Sequence, residues 1–452
     1  APGLQGEYIE GEAFDISGQW VAGVNDGHGT HVTGTVGANR DGEGMHGVAW
    51  GANIYVANTG GTDGNNYGPF QDYQYFYTGW KALVDSGAEV INNSWGTNIR
   101  IVDNGSTGSD GGNTGVHIPA NNMTQSEYEY FYFKKVYGDN PSFVDAAYDA
   151  VKGTTVVQIF TTGNRDFANP FYRALYPYYH PEAEQHWIAV AGLQRVTGTD
   201  KYSLSYTWNE AGEAKWWTVA APGNSIYSTT VNATTGAPGW GNSSGTSMSA
   251  PHVAGAMGVL LSRYQDMSAL QVRDVMFTTA SHQNPDGSTL ANWTAADGVP
   301  DVRYGWGVPD LDKGMYGPGQ FLGKVEYNMA TTPLDVWSNN ISQQALDARK
   351  QEDLAWLQNY KNQGIAAGGA YELGNSFVVN DGNSDPTDHI VSQEDAEKWR
   401  QDYYAARAAA IESKIDADLY TGSLVKLGAG TLVMTGDNSY QGNTTVENGA
   451  LY

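Results

Sequence analysis

Cysteine is absent from this chain of 452 residues, which excludes a disulfide framework, a thiolate zinc site and a cysteine nucleophile, and leaves the compartment open. Charge is scarce at 16%, and its positive part scarcer: 24 Lys and Arg stand against 49 Asp and Glu, a net charge of -25. Such a surface repels a phosphate backbone, so no nucleic-acid partner is expected. No run of eighteen apolar residues occurs, so no membrane-spanning helix is expected. The opening Ala1-Pro2-Gly3-Leu4 lacks a basic and apolar signal segment, which implies an export signal already removed. What is present is apolar and aromatic: 14 Trp and 29 Tyr give a core that excludes disorder for most of the chain. With 57 Gly and few charges, the composition is that of a loop-rich or solenoid-rich extracellular protein. The length suits a large catalytic domain with an attached region, or two to three ordinary domains.

Short apolar runs alternate with helical patterns from about residue 20 to residue 280, the signature of an α/β fold with a parallel sheet flanked by helices. Strands are expected at Asn53 to Ala57, Glu89 to Asn93, Thr154 to Phe160, Trp187 to Ala191 and Trp217 to Ala220. Helices fit His28 to Val36, Tyr73 to Asp85, Ser142 to Val151, Ser247 to Arg263, and Ser268 to Thr279 with Ser268 as cap. From Thr97 to Asn140 the pattern breaks, and this stretch, with its aromatic run Tyr128 to Phe133, reads as a long inserted loop. The domains divide as 1–319 and 320–452. In the second, Gln343 to Asn362, with Leu346, Leu354 and Leu357, and Ser392 to Leu419, with Ile411 and Ile415, read as amphipathic helices inserted over about 343–419. They are expected to pack near the base of a stem and take no part in chemistry. Over 422–452, apolar pairs such as Leu424-Val425 and Leu432-Val433 recur between Gly and Asn turns, reading as stacked β rungs, a partial β-solenoid. Rungs need about three neighbours for stability, so a chain ending at Tyr452 reads as cut inside a longer solenoid.

Chemistry concentrates in four places. Gly245-Thr246-Ser247-Met248-Ser249-Ala250-Pro251-His252 puts a hydroxyl at the positive start of a small-residue helix. Alone, such a Ser is an ordinary helix cap. Gly27-His28-Gly29-Thr30-His31-Val32 supplies an imidazole at another helix start, the base a nucleophilic Ser needs. The i, i+3 histidine spacing lacks the i, i+4 pattern and intervening Glu of a zinc protease. Thr161-Thr162-Gly163-Asn164 follows an apolar strand, where an amide can donate to an oxyanion. Ser94-Trp95-Gly96 ends another strand, either as an edge that pairs with an extended peptide or as a strand end with a packed Trp.

In this order the four pieces resemble the subtilisin-like serine proteases, over roughly residues 20 to 310. The resemblance implies His28 as general base with His31 a structural neighbour, Ser247 as nucleophile, and Asn164 as oxyanion donor beside the Ser247 N–H. It implies Ser94, Trp95 and Gly96 as one wall of the substrate cleft, with Trp95 narrowing a subsite, and Thr161, Thr162 and Gly163 as the other wall. Met248, beside the nucleophile, would make the enzyme sensitive to oxidation. The segment from Gly422 is similar to the repeat of bacterial autotransporter passengers, which implies a C-terminal translocator barrel in the precursor and a secreted or outer-membrane-surface protein. Protein or peptide substrates, a monomer and no cofactor are expected. Asn- and Asp-rich loops leave room for structural calcium, but no ligand spacing assigns a metal site.

Two features depart from the family. The order Asp, His, Ser puts the acid about thirty residues before the base, and His28 leaves no room for it. Asp15 lies thirteen residues before His28 and Asp26 adjoins the motif; the acid is expected before Ala1. His28 to Ser247 spans 219 residues, about sixty more than in subtilisin. A serine endopeptidase is the leading reading. The competing one is an impaired subtilase-like passenger that works as a surface binding module.

Overall fold

A short run of β-branched and aromatic residues makes a strand buried on both faces when helices cover a parallel sheet from each side. Val157–Thr161 is such a strand, with every residue buried. The computed structural model describes residues 7–9, 27–57, 73–95, 100–102, 125–232, 234–368, 377–380 and 390–452. Val157–Thr161 pairs in parallel with Val90–Asn93 on one side and with Trp187–Arg195 on the other. Trp187–Arg195 also takes Thr218–Pro222 in parallel and Tyr202–Leu204 antiparallel, completing five strands.

Around this sheet lie helices α1 (Gly27–Gly37), α2 (Tyr73–Asp85), α3 (Gln125–Tyr137), α4 (Phe143–Val151), α5 (Tyr172–Tyr179), α6 (Thr246–Arg263), α7 (Ala269–Thr279) and the single turn α8 (Leu311–Gly314). Their starts follow local chemistry. Ser142 and Ser268 each form a reciprocal capping box, with Asp145 and Gln271 respectively, satisfying N–H groups that the first helical turn leaves unpaired. α6 packs along four strands of the sheet, burying Met248, Val253, Met257 and Leu260. A buried amide chain ties the layers: Trp80 Nε1 donates to Asn93 Oδ1 (3.0 Å), Asn93 Nδ2 to Gln158 Oε1 (2.8 Å), and Gln158 Nε2 to the Ala147 carbonyl (2.9 Å).

The stretch expected to be one inserted loop is not. Residues 125–137 form α3, and Arg100–Val102 is a strand paired with Phe377–Asn380. Tyr130, Phe131 and Phe133 of the aromatic run are each below 5% exposed, so tertiary packing overrides the weak helix preference of aromatics.

Past residue 320, Lys324–Asn328, Ser423–Leu427 and Thr444–Val446 pair in parallel, as do Leu334–Trp337, Thr431–Met434 and Ala450–Leu451. These two three-stranded ribbons are consistent with the start of a β stem. Between the first and second layers lie α9 (Gln344–Gln363) and α10 (Gln393–Asp416), the latter capped by Ser392, which accepts from the Asp395 N–H. Leu346, Leu357 and Ile411 are buried, whereas Leu354 and Ile415, counted in the expected apolar faces, are exposed. α10 also packs on α5 and α3. Among the described residues no helix is long and apolar enough to cross a membrane.

Candidate active site

The strand Val157–Thr161 ends where its chain must turn toward the start of α6, and glycine makes the turn possible. Gly163 has φ +119°, and a Cβ there would lie 2.4 Å from the Phe171 ring, so only glycine fits. Gly245, just before α6, has φ +150°, and a Cβ there would meet Asn164 Nδ2 at 3.4 Å. Asn164 and the first turn of α6 thereby come together. Asn164 Oδ1 accepts from both the N–H and the hydroxyl of Thr246, each at 2.9 Å. A backbone N–H only donates, so the oxygen must face Thr246, and the Asn164 NH₂ is left to donate elsewhere. Within that turn, Thr246 N–H goes to Asn164 and Met248 N–H to the Gly245 carbonyl (3.0 Å). Between them lies the N–H of Ser247, one of the groups a helix start leaves without an intrahelical acceptor. The positive end of the α6 dipole falls at the same place.

His28 sits half-buried in the first turn of α1, and α1 packs against α6. A hairpin, Ile226–Val231 with Pro238–Ser243, fixes α1 in place. His31 Nε2 bonds to the Ile226 carbonyl (2.9 Å) and the Gly241 carbonyl (3.2 Å), and Ser228 and Thr229 donate to the carbonyls of His31 and Thr30. Burial lowers the His31 pKa, with the two carbonyls acting against it and His28 adding to it. His252 of α6 donates Nδ1–H to the Met248 carbonyl (2.8 Å), and burial lowers its pKa also. Burial thus favours the neutral form of both rings.

Other expected residues stand differently. Thr161 and Thr162 are 2% and 0% exposed, and Gly163 is buried. Thr162 gives its N–H to Val190 and accepts from Phe171, and Gly163 accepts from the Asn209 N–H. The three therefore pack beneath the site, and Asn164 alone of this segment is exposed. Ser94 is buried and accepts from Asn92 Nδ2 (2.9 Å). Trp95 is partly buried, its ring packing 5.3 Å from Phe76, 5.9 Å from Trp80 and 6.2 Å from Phe143, where an indole gains from apolar burial. Met248 is 1% exposed, which shields its thioether from oxidants. Gly96, Asp15 and Asp26 lie outside the described residues.

Two contributors gave no signal in the sequence. Thr246 orients Asn164, as above. Asn209, fully buried, clamps the whole loop: its carbonyl accepts from Thr162 Oγ1 (3.0 Å), its N–H reaches Gly163, and its Oδ1 accepts from the Arg165 N–H (2.8 Å). Among the described residues no group of three His, Asp or Glu side chains is placed to hold a metal.

Residues 11–307 match the model of the subtilase family, and 424–452 match the passenger-associated-transport-repeat. The chain belongs to the subtilase family. This subtilase is 28% identical to the extracellular serine protease of Serratia marcescens over 94% of its own length and 36% of that protein. It is 28% identical to the Neisserial autotransporter lipoprotein NalP of Neisseria meningitidis over 65% of its length and 25% of NalP. The chain thus spans about a third or less of these curated relatives. Among solved structures, fervidolysin of Fervidobacterium pennivorans aligns at 22% identity and a TM-score of 0.45, covering 71% of this subtilase and 44% of that chain.

Proposed function

We propose that the chain is a secreted serine endopeptidase that cuts protein substrates through an acyl-enzyme on Ser247. The observation that carries the reading is the double hydrogen bond from Thr246 to Asn164 Oδ1, which supports an amide donor poised beside the Ser247 N–H at the start of α6. In this mechanism Ser247 Oγ attacks the scissile carbonyl carbon while His28 takes the hydroxyl proton. The carbonyl oxygen becomes an oxyanion that accepts from Asn164 Nδ2–H and Ser247 N–H, and one such donor contributes about 3 to 4 kcal/mol. The carbon–nitrogen bond breaks as His28 passes its proton to the leaving amine. A water then gives its proton to His28 and attacks the ester, and Ser247 is regenerated with release of the new carboxyl group.

The repeat at 424–452 and the names of the relatives support export as an autotransporter passenger with a translocator barrel in the precursor. The test is a fluorophosphonate probe with mass mapping of the adduct. It should modify Ser247, and His28→Ala should slow the reaction by orders of magnitude. Labelling elsewhere, or equal rates in both proteins, overturns the reading and favours the binding-module alternative.

A further inference from the structure

Helix α5 follows the active-site loop directly, yet its own sequence caps it poorly. Its cap position is Phe171, which offers no side-chain acceptor. The acceptor comes from the inserted helix α3: Glu129 Oε2 takes the N–H of Tyr172 at 2.5 Å. That carboxyl oxygen satisfies an N–H that the helix start leaves without an intrahelical acceptor. Next along α5, the guanidinium of Arg173 is 5% exposed, lies within Coulomb reach of Glu129, rests 5.3 Å from the Phe171 ring, and donates to Thr161 Oγ1 at 3.3 Å. Phe171 in turn fills the space that a side chain at position 163 would need. One packed path thus runs from Glu129 through Tyr172, Arg173 and Phe171 to Thr161 and Gly163, the residues that carry Asn164.

The far side of α3 is held from the C-terminal region. Glu127 is 3% exposed and accepts from Arg400 of α10 with both oxygens, at 2.7 and 2.8 Å, and from the Tyr403 hydroxyl at 2.8 Å. Tyr130 stacks on Tyr179 of α5 at 4.6 Å and meets the Tyr403 ring edge-on at 5.5 Å. Two helices separated by some 270 residues therefore close on α5 together.

Resting on the serine-protease reading of this loop, we infer that α3 is a brace for the oxyanion donor: Glu129 and Arg173 are positioning residues for Asn164, and α10 locks the brace through Glu127 and Arg400. A brace differs from a stability contact in what its loss does. A donor displaced by about 1 Å lowers the rate of the chemical step about 10²-fold, whereas substrate binding and the number of reactive sites stay as they were.

The test uses the full chain with concentrations set by active-site titration, at a temperature well below each variant's Tm. Arg173→Met should lower kcat per titrated site about 10²-fold with KM within about twofold, and Arg173→Lys, which keeps one donor, should fall between. Arg400→Ala, which leaves the buried Glu127 carboxylate without its guanidinium, should lower kcat in the same direction. The pair Glu127→Leu with Arg400→Met, which removes both charges and keeps the packing, should restore it. Hydrogen exchange of the 157–171 segment should quicken in Arg173→Met and Arg400→Ala and recover in the pair. An unchanged kcat per site in both Arg173 variants, whatever their Tm, overturns the brace. If the wild type itself does not turn over, the protease reading fails separately; exchange then decides, and unaltered exchange in Arg173→Met and Arg400→Ala overturns the brace on its own.

Discussion

Thr246 holds Asn164 by two hydrogen bonds to a single oxygen, one from its backbone and one from its hydroxyl, both at 2.9 Å. The backbone bond survives any substitution at 246 except proline, whereas the hydroxyl bond does not. The relationship therefore separates into a part that can be deleted and a part that cannot.

Thr246→Val should lower kcat about tenfold, the scale of one hydrogen bond of about 1.4 kcal/mol, and Thr246→Ser should keep most of the rate. Asn164→Ala should cost about 10² to 10³ in kcat with little change in KM. Steady-state kinetics of the three variants on one peptide series decide. Equal rates for wild type and Asn164→Ala remove the amide from the oxyanion site.

Gly163→Ala should damage both folding and rate. The new methyl would meet Phe171 at 2.4 Å in a backbone region that disfavours side chains, an overpacking cost of about 1 to 3 kcal/mol with backbone strain of similar size. Denaturant unfolding should show that loss. A variant as stable as wild type would mean that Phe171 yields freely, and would weaken the path from α5 to Asn164.

Between pH 8 and 5 the acid limb of stability should trace to His31, His186 and His252. Burial lowers all three pKa values below the ordinary 6.5, so the unfolded chain binds protons more readily. Their contribution is complete above about pH 6.5 and is lost as pH falls through the folded values. Unfolding free energy measured from pH 8 to 5 should decline for wild type, with a shallower slope in His252→Asn. An identical slope would assign the decline to other groups.

Glu129 acts in the opposite direction. Burial pushes its carboxyl up to about 8, against the pull of the Tyr172 N–H and Arg173. A raised pKa means the folded state holds the proton more tightly. Stability from this group is complete below about 4.5 and is lost as pH rises through about 8. Glu129→Gln keeps an acceptor for Tyr172 and should flatten the fall in Tm between pH 6 and 9. The same fall in the variant would place the titrating group elsewhere.

What the sequence made legible was local. Ser142, Ser268 and Ser392 cap the helices that their spacing predicts, because caps act over three residues. The starts of α1 and α6 were marked by small residues around His28 and Ser247, and Asn164 by its place after an apolar strand. The rest depends on partners far along the chain. Asn209 lies 44 residues from the Arg165 N–H it accepts, and Thr246 82 residues from Asn164; no pattern links them in advance. The aromatic run misled because aromatic residues carry no helical periodicity when α5, α4 and α10 bury Tyr130, Phe133 and Phe131 from different sides. The partners of Trp95 were equally hidden: Phe76, Trp80 and Phe143 come to it from two helices.

Turnover of an unfolded protein substrate by the full chain, beside Ser247→Ala and His28→Ala, tests the central claim most directly. Wild type should cleave internal peptide bonds, and each variant should lose on the order of 10⁶ in kcat, the two losses not adding when combined, because nucleophile and base act as one unit. Cleavage by Ser247→Ala at the wild-type rate, or none by wild type, would contradict it.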